Sequence, residues 1–157
     1  MTSPYTEDGQ PLRTRSLQVD TYVNIGSTAS DGEARARADF EFRVGTAQDM
    51  ADKPVTVRGT SKTEERYDPV INLPELGDSA YLQHMNQKDI YGSSTFVELE
   101  MRFKNVIISL RFHGYNEKNQ KAETKNTSLD PAPIKSDLQQ AAHEMTNYLT
   151  TCLPCRT

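Results

Sequence analysis

The stretch Ser94–Tyr115, STFVELEMRFKNVIISLRFHGY, leaves this chain little freedom. Val97, Leu99, Met101 and Phe103 alternate with Glu98, Glu100 and Arg102, the period-two signature of a strand with one apolar face. Val106, Ile108, Leu110 and Phe112 resume the pattern after Lys104-Asn105. Folding across that turn sets Phe103 against Val106, Met101 against Ile108, Leu99 against Leu110 and Val97 against Phe112. The same register sets Glu98 against Arg111 on the other face. A one-residue slip would destroy both matches, so the register is well specified. The expectation is a hairpin with one apolar face and one solvated, charged face. Its Glu98–Arg111 pair is then an exposed ion pair worth about 0.5 kcal/mol.

A length of 157 residues suits one domain that needs no staples to bury a core. Hydrophobic residues make up 35 %, so that core is expected to be lean. A net charge of −4 and scattered Lys and Arg give no footing for nucleic acid. No apolar run approaches the ~18 residues of a membrane span. The polar start MTSPYTEDGQPLR carries neither a signal region nor a lipid-attachment cysteine, so an exported form would be one with its signal trimmed.

Residues 1–14, with Pro4, Gly9 and Pro11, read as a disordered leader to a single domain over 15–157. Leu17 to Ile25 alternates as a first strand. Ser30-Asp31-Gly32-Glu33 matches a capping box. In the residues that follow, 34–47, apolar positions alternate as in a strand, while the box and the Ala, Arg and Glu content favour a helix. As a helix, Ala36, Phe40, Val44 and Ala47 share one face, and Ala34, Ala38 and Phe42 another. Pro54–Arg58, Val70–Leu73 and Ser79–Met85 are extended, with the polar SKTEERYDP as a separator and residues 86–93 as a loop. Residues 114–129 are polar and without period, a long mobile loop. Asp130-Pro131 opens a last helix whose Ile134, Leu138, Ala141, Ala142, Met145, Leu149 and Cys152 form an apolar stripe. The fold class expected is α+β: one antiparallel sheet of about five or six strands with two helices packed on one face.

Three segments carry a family resemblance: Leu76-Gly77-Asp78-Ser79-Ala80-Tyr81, the hairpin FVELEMRFKNVIISLRF with Asn105 at its turn, and the closing PIKSDLQQAAHEMTNYL. They resemble the glycine-aspartate-alanine motif, paired strands and terminal helix of small actinobacterial lipoproteins of unknown function. That group is similar in turn to the extracytoplasmic sensor domains of some mycobacterial serine/threonine kinases. The resemblance spans residues 16–150. It implies an exported cell-envelope domain with a binding or sensing role and no established catalysis. The chain departs from the pattern in lacking an early cysteine; its two cysteines stand at the C-terminal end.

Those cysteines form Cys152-Leu153-Pro154-Cys155. Closing a helix, the pair sits at the negative end of the helix dipole, which raises thiol pKa values and disfavours redox catalysis. A small structural disulfide and two inert thiols both remain open. His143-Glu144-Met145-Thr146-Asn147 starts like a zincin helix but has Asn where the second histidine must stand, so no metal is expected. Asn126-Thr127-Ser128 is a sequon in a polar stretch. Tyr91, His113 and Tyr115 are the ligand-binding candidates, aromatic and imidazole groups at strand ends that suit a cleft. The sequence therefore points to a non-catalytic, extracytoplasmic binding or sensing module of the bacterial cell envelope. Its partner would be a small molecule, a wall component or a protein, and it would carry no cofactor. The alternative is a cytoplasmic or secreted interaction domain using the polar loops 59–69 and 114–129. A small enzyme ranks third.

Overall fold

The structure is a computed structural model that describes residues 13–53, 56–58, 63–120 and 123–151. The elements in chain order are β1 (Arg13–Val23), α1 (Ala29–Ala51), β2 (Thr56–Arg58), β3 (Thr63–Tyr67), β4 (Ile71–Asn72), β5 (Ser79–Asp89), β6 (Gly92–Phe103), β7 (Val106–Gln120), β8 (Glu123–Thr127) and α2 (Pro131–Thr151). The eight strands form one sheet in the order β1-β7-β8-β6-β5-β3-β2, with β4 beside β5 and β6 also paired to β7. Every pairing is antiparallel except a single parallel bridge, Gly92 to Asn126. Six strands have five or more residues, and β2 and β4 are short additions. One antiparallel sheet with two helices is the expected α+β class.

The β6–β7 hairpin has the register its alternation dictates: Phe103↔Val106, Met101↔Ile108, Leu99↔Leu110, Val97↔Phe112 and Glu98↔Arg111. Lys104 takes the left-handed conformation (φ 53°) that the two-residue turn requires. Its amide donates to Asp78 Oδ2 at 2.6 Å, and Arg102 Nη1 donates to the same oxygen at 3.0 Å. The loop before β5 thus clamps the hairpin turn. Gly77 (φ +60°) must be glycine there, since a Cβ would sit 2.5 Å from the Arg102 carbonyl oxygen.

The helices do not share a face, which corrects the expected packing. Ala80 and Leu82 of β5, Val97, Leu99 and Met101 of β6, and Ile108 and Leu110 of β7 pack with Leu138 and Ala142 of α2. Their neighbours on the opposite face, Tyr81 and Ile107, pack with Phe40 and Ala47 of α1. The sheet is therefore sandwiched, and the charged side of the hairpin is half covered. Glu100 and Arg102, expected in solvent, are 2 % and 8 % exposed.

Other expectations also shift. The helix over 34–47 is present as α1, with Ala36, Phe40 and Ala47 buried and Phe42 exposed. Its cap is Thr28 rather than Ser30: Thr28 Oγ1 accepts the Asp31 amide at 3.2 Å. The separator 61–69 contains β3, and the expected loop 86–93 is the end of β5, a tight turn and the start of β6. Most of 114–129 belongs to β7 and β8 rather than to a mobile loop. Polar strands escape a reading based on apolar alternation, because backbone pairing needs no apolar period. Asp130 caps α2 as expected, accepting the Ala132 amide at 3.0 Å. Cys152 and Cys155 lie outside the described residues. Among the described residues, no helix is long and apolar enough to cross a membrane.

Candidate functional site

Antiparallel register arranges the α1 face of the sheet in cross-strand rows. Directly paired residues point the same way, so each row is a line of side chains across the sheet. The row nearest the hairpin turn joins Ser79, Arg102, Ile107 and Tyr22, and the next joins Tyr81, Glu100, Ser109 and Asp20. A third joins Gln83, Glu98, Arg111 and Gln18, and a fourth Tyr67, Met85, Phe96, His113 and Ser16. Helix α1 covers the first two rows and leaves much of the last two open. A cleft of about 550 Å³ lies there, lined among others by Tyr67, Gln83, Met85, Phe96, Glu98 and Arg111. A hollow of about 350 Å³ continues beneath Phe42, Arg43, Thr46 and Met50 of α1 and reaches Tyr81 and Glu100.

The inner end of this space holds a charged network. Glu100 accepts from Arg43 Nη1 at 2.9 Å and from the Tyr81 hydroxyl at 3.2 Å. Burial, with the like charge of Glu98, pushes the Glu100 carboxyl above its ordinary pKa, while Arg43 and Tyr81 pull the other way. Burial next to Glu100 likewise pushes the Tyr81 phenol up. Burial opposes the charge on Arg43, but hydrogen bonds and attraction from Asp39 and Glu100 outweigh it, so the guanidinium is held cationic. Arg43 also lies 4.4 Å over the Tyr22 ring. Nearer the opening, Arg111 Nε donates to Glu98 Oε1 at 2.5 Å, and that bond raises the pKa of the arginine. The cross-strand pair read from the sequence is therefore real, with side chains 42 % and 33 % exposed.

Two of the three expected ligand-binding residues stand together beyond Phe96, outside the cleft lining. His113 stacks on Phe96 with centroids 4.1 Å apart and planes 13° apart, and Tyr115 tilts against His113 at 5.8 Å. Burial lowers the His113 pKa, which favours the neutral ring. Tyr91 does not join them: it tops the β5–β6 turn, 64 % exposed, its amide bonded to Asp89 Oδ1. The reading from sequence missed Glu100, Arg43, Tyr67 and Met85. The available signal was the α1 face of Ala36, Phe40 and Ala47, which needs a second surface to bury against. Among the described residues, no three His, Cys, Asp or Glu side chains gather as a metal site. His143 is exposed on α2.

Compared with protein-family models, curated proteins and solved structures, the chain matches none.

Proposed function

We propose that this protein is a non-catalytic binding or sensing module that takes a small ligand in the cleft between Tyr67 and Phe96. The observation that carries this reading is the cleft itself, with apolar walls and floor beside the half-exposed Glu98–Arg111 pair. Such sites combine apolar contact area with a few polar groups that orient the ligand. Catalysis is disfavoured by the partners of Glu100. Arg43 and Tyr81 already occupy this carboxylate, which is 2 % exposed, so a substrate would have to displace both. The test is a fragment screen by methyl NMR on the full chain. Ligands that shift the Met85 methyl resonance support the reading; a screen that never shifts it removes the site.

Placement outside the cytoplasm, at a bacterial cell envelope, rests on the resemblance carried by Leu76–Tyr81, the hairpin and the closing helix segment. Thiol alkylation of native-host protein, read by intact mass, addresses it. Cys152 and Cys155 labelled only after reduction would support export, whereas two freely labelled thiols would count against it.

One observation favours protein interaction as a second reading. β1 ends the sheet order as an edge strand, and its Leu17, Val19 and Val23 are 58 %, 48 % and 58 % exposed. An exposed apolar edge is a template for another chain. Sedimentation should then show association that Val19→Lys weakens; a strictly monomeric protein with no captured partner would rule this surface out.

A further inference from the structure

The two ends of the sheet are guarded differently. At one end β2 has three residues; at the other β1 has eleven, paired to β7 without interruption. Edge strands are kept from pairing with other chains by shortness, proline, bulges or charge, lysine above all. From Ser16 to Val23, β1 has no proline, no bulge and one charge, Asp20. Helix α2 covers β5, β6 and β7, and no β1 residue joins the core it closes. Leu17, Val19 and Val23 therefore stay exposed on that side.

The backbone of β1 has an open side of known phase. Lys104-Asn105 closes the β6–β7 hairpin as a two-residue turn, so Val106, Ile108 and Leu110 bond toward β6. Ile107, Ser109 and Arg111 then bond toward β1. The Asn24 amide, bonded to the Asn105 carbonyl at 2.8 Å, has the same phase. Tyr22, Asp20 and Gln18 are thus taken up by β7, while Leu17, Val19, Thr21 and Val23 direct N–H and C=O away from the sheet. Among the described residues no strand pairs with that side.

One occupant matches this edge over its whole length: the same strand, antiparallel, about a two-fold axis through Gln18, the midpoint of β1. The axis stands normal to the sheet, so the α2 sides of the two copies coincide. Leu17 of each copy then opposes Val19 of the other, and Ser16 of each opposes Asp20 of the other. Two exposed apolar residues gain apolar cross-strand neighbours, and a hydroxyl donor faces a carboxylate, each match occurring twice. An axis at Asp20 would set two carboxylates face to face, and one at Val19 would oppose Leu17 to Thr21. Either shift also leaves part of each edge unpaired.

We propose that two copies of this chain pair β1 to β1 about Gln18 and join their sheets into one. This assignment rests on the second reading above, of β1 as an interaction surface, and names its partner. The paired edge is about 37 Å long. A single strand edge is a contact at the small end of specific interfaces, so the dimer is reversible and the dilute chain keeps β1 open.

The test is sedimentation equilibrium of the full chain, with reductant, from about 1 to about 500 μM. Amide hydrogen exchange is read by NMR at both ends of that range. The proposal expects a monomer–dimer equilibrium, with the Leu17, Val19 and Thr21 amides slowed about ten-fold or more in the concentrated sample. Dimerisation that leaves these outward amides unprotected would place the contact on a face of the sheet and overturn the proposal. Leu17→Lys and Val19→Glu should each weaken self-association about five-fold or more. Their equimolar mixture should associate about five-fold more tightly than either variant alone, because a lysine then faces a glutamate. A mixture no tighter than its components would overturn the pairing about Gln18. Unchanged β5, β6 and β7 amide resonances confirm that each variant folds. A chain that stays monomeric at every concentration would overturn the second copy as occupant and leave β1 to a different chain. Association untouched by both variants would overturn β1 as the surface as well.

Discussion

Glu100 is the residue whose surroundings differ most from water, and its stability effect has a definite sign. Burial and Glu98 raise its pKa in the folded chain above the unfolded value of 4.5. A carboxyl shifted up favours the fold while protonated, and that contribution is lost as pH rises through the folded pKa. Glu100→Gln keeps an acceptor for Arg43 and removes the charge, so at neutral pH it should stay within about 1 kcal/mol of the parent. The difference, variant minus parent, should move in the variant's favour as pH rises from about 4.5, measured by urea unfolding at several pH values. A constant difference across pH would mean that Glu100 does not titrate in the fold as argued. Glu100→Ala, which also strands the Tyr81 hydroxyl and opens a void, should cost about 2–3 kcal/mol. His113 has the opposite sense for a base. Its lowered pKa means that the neutral, stacked ring stabilises the fold above the unfolded value of 6.5, and this is lost as pH falls through the folded pKa. An NMR titration midpoint below 6.5 is expected; one above it would contradict burial as the controlling effect.

At the scale of elements, caps and turns separate local preference from placement. Ser30 and Glu33 satisfied a capping-box pattern, yet the chain enters α1 two residues earlier, at Thr28, whose backbone is extended (φ −133°, ψ 165°). The Ser27 hydroxyl and Thr28 both bond Asp31, and the Ser27 bond is the main cause that holds its carboxyl below the ordinary pKa. Thr28→Ala should therefore cost about 1 kcal/mol in thermal or urea unfolding, and Ser30→Ala less than about 0.5. Equal costs would return the cap to Ser30. The β6–β7 turn makes a prediction of the other sign. Lys104 holds a positive φ that L side chains adopt at a cost, and it is its backbone amide, not its side chain, that donates to the Asp78 carboxylate. Lys104→Gly should stabilise the fold by up to about 1 kcal/mol; a loss would show that the lysine side chain holds the turn.

At the scale of the molecule, a sheet covered on both sides should open from its edges. Leu82, Leu99 and Leu110, on the three central strands, are at most 1 % exposed, whereas β1 presents Leu17, Val19 and Val23 to solvent. Hydrogen exchange should be slowest at the paired amides of β5, β6 and β7 and faster by orders of magnitude in β1. Uniform protection would mean that β1 is covered by something other than this chain. The sequence by itself determined the hairpin and its register, because alternation of period two permits only one pairing that buries Val97, Leu99, Met101, Ile108 and Leu110 together. It determined α2 in the same way, through a cap and a stripe at helical spacing. The polar strands β3 and β8 were not legible: their Glu, Lys, Thr and Asn residues carry no apolar period, and their place is set by neighbouring strand edges. Nor was the cleft. Glu98, Glu100, Arg102 and Arg111 read as a solvated face from their own strands, since nothing local says what lies above a sheet. Only the tertiary structure brought α1 over that face, through the burial of Phe40 and Ala47 against Tyr81 and Ile107. That burial turned an exposed charge pattern into a half-enclosed site, because the energy of a charge depends on the water around it and not on its position in the chain.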